Sequence, residues 1–297
     1  MTTEQADRYA AAADLVARSA AAFASGVPEH PAKDGYFSPH GVTWRLSADL
    51  SSPIAGLRSL LMQALHPLAM AGVDQHSQWR RDPAGRLAAT NQYVTTITYG
   101  DKTTADQVAA VVRRIHTRVR GTDEVTGQSY DANDPALLLW VHAAIVDSTL
   151  AAARLVGTPP DDQDADRYVA EMVAAAELIG IPRDRTPSTV AGLNAYIESV
   201  RPTLLSTPAS AEAAAYLLQP AGLDPEIAEI WHDLAGAAIG SLPAWAVELY
   251  GFTSPANITR EDVRQTLGML DILYIGEPGV LEARQRIELA RRAAESR

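Results

Sequence analysis

Apolar positions recur at helical spacing along most of this chain, and no stretch alternates with the period of two that a half-buried strand requires. The pattern is clearest between Thr104 and Gly121, where Val108, Val111, Val112, Ile115 and Val119 form one apolar stripe at about 100° per residue. Thr104 and Gln107 have capping-box spacing and Gly121 stands where a left-handed stop is wanted, so the spacing predicts a helix over 104–121. Residues 53–71 are apolar nearly all round and predict a buried helix. Pro67 kinks it and frees the carbonyl of Gln63. Asp82 with Pro83 opens a helix to Tyr99, and Asp134 with Pro135 opens another to Leu155. Further helices are predicted over 5–24, over 164–179 before Gly180, from a Ser188 cap to Val200, from Ser210, from Asp224 to Ile239, from Thr259 to Ile275, and from Pro278 onward. No repeat or linker divides the chain. The expected architecture is all-α: a single globular domain over 1–297, of about ten helices, with an N-terminal helix and irregular segment over 1–52 and a helical core over 53–297.

Composition narrows the chemistry. A 297-residue chain that is 47% hydrophobic can bury a sizeable core, and only 6% aromatic content favours closely packed helices over a sheet. With no cysteine, disulfides, thiolate ligation and iron-sulfur clusters are excluded, so any metal ligand is histidine, carboxylate or tyrosine. A formal net charge of −11 argues against nucleic acid or an anionic membrane surface as a partner. Glu4, Asp7, Asp14 and Arg18 interrupt the alanine-rich start, which does not read as a signal peptide. No uncharged run reaches the length of a membrane span, so the expected location is the cytoplasm. G-x-S-x-G, Walker, dinucleotide and H-E-x-x-H motifs are absent, as is the paired E-x-x-H set of di-iron bundles.

What survives is a histidine-ligated cofactor. His116 lies roughly 80° from the centre of the valine stripe, with Arg113 and Arg120 three residues before it and four after on the same side. An imidazole beside two guanidinium groups is poorly placed as a cation. It is well placed as a neutral ligand for a group that carries carboxylates, which is the layout of a haem; the plainer reading is a partly buried histidine with a basic flank. Arg86, Thr90 and Tyr93 share one helix face, which is either solvated or overhangs a reactive centre and polarises dioxygen or a substrate. His66, beside the Pro67 kink, is either a pocket feature or part of a bent core helix. His142 is either a core histidine or a second ligand or partner of one. His232 reads as core or interface, His30 and His40 as exposed loop residues.

The strings "LLMQALHPLAMAGV", "GRLAATNQYVTTITYG", "VRRIHTRVRG", "YDANDPALLLWVHAAIVDS" and "LPAWAVELYG" together resemble the MpaB-type oxygenases related to latex-clearing rubber oxygenases, over Leu60 to Gly251. The resemblance implies an all-α fold with haem b between helices and His116 as the proximal iron ligand. It places Arg86 and Thr90 on the distal, catalytic side, with Ala89 where rubber-cleaving members carry a lysine; that departure removes a sixth iron ligand and argues against rubber cleavage itself. His142 matches a family histidine, and no glutamate stands near Met70 as the distal base. The expected cofactor-binding set is His116, Arg113, Arg120, His142 and His66. The implied function is a haem b-dependent oxygenase acting with dioxygen on a small hydrophobic, isoprenoid-like substrate. The alternative is a non-catalytic helical protein that binds or senses haem or lipid, and a homodimer is left open.

Overall fold

The computed structural model describes residues 17–31, 34–220, 225–253 and 259–295. The predicted helix start at Gln5 and the cap at Asp224 lie outside them. In chain order the helices are α1 (17–26), α2 (Val42–Ser47), α3 (Ser52–Ala64), α4 (Pro67–His76), α5 (Pro83–Tyr99) and α6 (Lys102–His116). A two-stranded ribbon follows, β1 (Arg120–Thr122) and β2 (Ser129–Asp131). Then come α7 (Pro135–Leu155), α8 (Asp162–Ile179), α9 (Val190–Val200), α10 (Pro208–Leu218), α11 (Pro225–Gly240), α12 (Ala244–Tyr250), α13 (Arg260–Gly276) and α14 (Val280–Glu295). The all-α expectation holds, with more helices than the ten predicted because the 53–71 segment divides and α2 and α12 are too short to show a period.

α3 and α7 form the axis of the core. Asp134 caps α7 by accepting from the Ala136 amide at 2.8 Å, and Pro135 occupies the first turn, where its missing amide costs nothing. Trp140 Nε1 donates to the Gln63 carbonyl at 3.2 Å, and Arg58 pairs with Asp147 and donates to Ser148 Oγ, both at 2.7 Å, so the two helices run antiparallel. Buried Ala143, Ala144, Ala152 and Ala153 let the backbones approach closely. By length and composition α7 is the one helix among the described residues that would cross a bilayer, but two-thirds of it (67%) is buried within this fold.

Pro67 does more than kink its helix. His66 is extended (φ −84°, ψ 112°), and the chain breaks into α3 and α4. The break leaves carbonyls at the end of α3 without helical partners, and distant groups serve them: Trp140 at Gln63, the Tyr250 hydroxyl at Leu61 (2.7 Å) and the Leu205 amide at Leu65 (2.9 Å).

α5 and α6 make an antiparallel hairpin joined through Gly100 and Asp101. Asp101, not Thr104, caps α6, accepting from the Thr104 amide at 2.8 Å. The helix stops at His116, short of the predicted Gly121. Gly121 lies in the ribbon opposite Tyr130 with an ordinary backbone conformation. A Cβ there would come within 2.7 Å of the Tyr130 hydroxyl, which is why glycine occupies it. That hydroxyl donates to Gln75 Oε1 at 2.7 Å, and His76 Nε2 lies 3.1 Å from the Arg120 carbonyl, so the ribbon is pinned to α4. The side of α5 away from the core is covered by α1: Asn91 donates to the Ser19 carbonyl at 3.1 Å, and Arg18 pairs with Asp82 at 2.9 Å.

The burial of α6 also departs from expectation. Val111 and Ile115 are 44% and 57% exposed, whereas Ala105 and Ala109 are fully buried. The packing face is therefore the alanine line. It runs through Ala105, Ala109, Val112 and His116 at steps of four, three and four, which puts His116 on its centre rather than at an edge.

Candidate active site

Because α5 and α6 run antiparallel from a tight turn, residues far from that turn on each helix meet at the open end. Arg86, near the start of α5, thereby faces His116, the last residue of α6. The His116 imidazole is partly buried and its Nδ1 has no hydrogen-bond partner. Desolvation lowers its pKa, the positive charge of Arg86 lowers it further, and Asp131 opposes both. At neutral pH the ring is therefore uncharged, the state a metal requires of a histidine ligand.

Arg86 is exposed, and desolvation lowers its pKa from the usual guanidinium range. No charge partner contributes to that shift. Ala89 and Thr90 are exposed on the same side of α5, so the three residues form one open face at the free end of the hairpin. The Thr90 hydroxyl donates to the Arg86 carbonyl at 3.1 Å, which leaves its oxygen as an acceptor. Deeper in the hairpin the Tyr93 hydroxyl is buried without a partner. Desolvation pushes its pKa up to about 12, and the charge of Arg113 pulls the other way.

Among the described residues no group of three or more histidine, cysteine, aspartate or glutamate side chains converges to hold a bare metal ion. One neutral imidazole and an unpaired guanidinium suit instead an ion that arrives in its own macrocycle. Residues 44–271, from α2 into α13, match the family described as ER-bound oxygenase mpaB/B′ and rubber oxygenase, catalytic domain. The chain belongs to that family. No curated protein and no solved structure matches the chain.

In this MpaB/rubber-oxygenase domain the charge of Arg86 acts on His116, and that of Arg113 on Tyr93, across one hairpin. Two surface depressions elsewhere, one lined by Trp79, Arg80 and Tyr216 and the other by His40, Arg45 and Arg167, contain none of the predicted site residues. Arg113 donates to the Leu178 carbonyl of α8. Arg120 is not on the face of His116 at all. With α6 ending at His116, Arg120 falls in β1 and pairs with Asp131 at 2.9 Å. For His66, desolvation lowers its pKa and the charge of Asp134 partly opposes that; its Nδ1 is buried and unpartnered, and its ring sits 6.3 Å from that of Trp140. His142 points about 160° round α7 from Trp140, away from His66. His232 is 72% exposed, so neither core burial nor a metal role is supported for the single E-x-x-H string, Glu229 to His232, in which it lies.

Tyr93 shares the helix face of Arg86 and Thr90, as the sequence spacing predicts, without being named among the expected site residues; its buried, unpartnered hydroxyl is what singles it out. His142 supplies a prediction on stability. Burial lowers its pKa from 6.5 to about 4, so the folded protein holds it neutral while the unfolded chain protonates below 6.5. Its contribution is fully present above pH 6.5 and is lost as pH falls from there to 4, about 3 kcal/mol in all. Urea unfolding of wild type and His142→Phe across that window is expected to show a markedly shallower acid loss in the variant.

Proposed function

We propose that this oxygenase-family domain binds haem b at the open end of the α5–α6 hairpin and uses it with dioxygen to oxidise a small hydrophobic, isoprenoid-like molecule. The observation that carries the reading is the neutral His116 imidazole, unpartnered at Nδ1, facing an unpaired Arg86. Haem, when bound, supplies an iron centre able to activate dioxygen and four ring nitrogens of its own.

The chain's own residues divide the remaining work. His116 would hold the haem iron through a ring nitrogen, and Asp131, whose charge acts on it, favours a more basic ring. Arg113 is better placed than Arg120 to meet a carboxylate of the cofactor, because Arg120 would first have to leave Asp131. Ala89 contributes a methyl group rather than a ligand. Arg86 would supply an unpaired positive charge to stabilise negative charge at the site, and the Thr90 oxygen would serve as an acceptor. His66 and His142 remain as cofactor-binding assignments of lower rank, since neither is brought to the Arg86–His116 pair.

The test is direct. Protein reconstituted with haemin is expected to show a Soret band at close to one haem per chain and to consume oxygen with isoprenoid substrates. Arg86→Ala is expected to keep the band and lower turnover by about a hundredfold. Haem binding with background oxygen consumption would favour the storage or sensing alternative, and no Soret band would end the haem reading.

A further inference from the structure

Tyr93 and Arg113 are unused by the oxygen chemistry above. Tyr93 stands two helical turns beyond Arg86 on the same face of α5, and helical side chains lean toward the N-terminus, so its phenol leans back toward the open end. Its hydroxyl is buried and meets no acceptor. Arg113 stands one turn before His116 on the opposite arm and spends one N–H on the Leu178 carbonyl. No carboxylate pairs with it among the described residues. The two groups stand on the packed arms of one hairpin, and the positive charge of Arg113 acts on the Tyr93 phenol.

A buried O–H donor and a guanidinium without an anion, set on facing arms of one hairpin, share a single complement. We propose that Tyr93 and Arg113 together bind a carboxylate between the arms of the hairpin. The carboxylate accepts one hydrogen bond from the phenol and a charge-assisted bond from the guanidinium. This rests on the open end of the hairpin being the ligand site of the proposed function. Its source is either a carboxylate of the porphyrin or the acid end of an apolar substrate, and the two are separable.

Tyr93→Phe removes one oxygen and no volume of consequence. Because the hydroxyl has no partner in the ligand-free protein, the melting temperature of the apoprotein is expected to stay level or rise, whereas a structural role would lower it. Apoprotein is titrated with haemin, haemin dimethyl ester, palmitate and methyl palmitate. If the porphyrin is the source, Tyr93→Phe weakens haemin about tenfold and leaves its diester unchanged. If the substrate is the source, palmitate weakens by a similar factor and its methyl ester does not. A wild type that binds no haemin defeats the haem reading alone, and the palmitate pair then decides the carboxylate site. Equal affinities of wild type and variant for all four probes, or a destabilised apoprotein variant, overturn the proposal.

Discussion

His116→Ala is expected to abolish stable haem incorporation while leaving the helix content intact. The fold has little stake in this imidazole: α6 is capped by Asp101 and packs through Ala105 and Ala109, and His116 Nδ1 makes no bond that its loss would break. Cofactor binding has everything at stake, because no second histidine is brought to Arg86. Affinity for haemin should fall by about a hundredfold or more, with far-UV circular dichroism unchanged, and added imidazole should restore part of the Soret band by filling the space the side chain leaves. Full haem content with an unaltered spectrum in the variant would refute the assignment and turn attention to His66 and His142.

Arg58→Ala is expected to destabilise the protein by about 3–5 kcal/mol, read as a fall in the urea midpoint at constant slope. Arg58 is 3% exposed and satisfies three groups at once: Asp147 at 2.7 Å, Ser148 Oγ at 2.7 Å and the Ser241 carbonyl at 3.0 Å. Removing it strands Asp147, only 22% exposed, against the α3–α7 axis without its cation. The double variant Arg58→Ala/Asp147→Ala should therefore lose less than the sum of the two single variants. A strictly additive result would mean that the pair is not coupled.

Helix caps were legible at some positions and not at others: the helices read as starting at Thr104, Ser188 and Ser210 are capped by Asp101, Thr189 and Thr207. Asp82, Asp134 and Thr259 each accept from an amide as their sequence context predicts, and Gly180 ends α8 in the left-handed conformation. The ribbon was missed because three-residue strands are too short to show a period. The signal lay in its turn, where Asp123 accepts from Thr126 at 2.7 Å and Gly127 has φ 69°. The valine stripe of α6 misled for a physical reason: hydrophobicity marks what prefers burial, whereas close helix packing selects small side chains, so alanine faced inward and the larger residues stayed out. Within the site, the Arg86 and His116 candidates were readable from type and spacing. That they face one another follows only from the antiparallel hairpin. The fate of Arg120 depended on where α6 stops, which the Thr104–Gly121 reading placed too late.

The break at His66 bears on how the chain is made. Three carbonyls of one corner are served by Trp140, Leu205 and Tyr250, the last of them 189 residues further along the sequence than its acceptor. All three groups lie later in the chain than α3, α4 and the hairpin. An N-terminal fragment carrying those elements would hold Arg86 and His116 but none of the three groups, so the full set of bonds at the final turn of α3 requires residues as far along as α12.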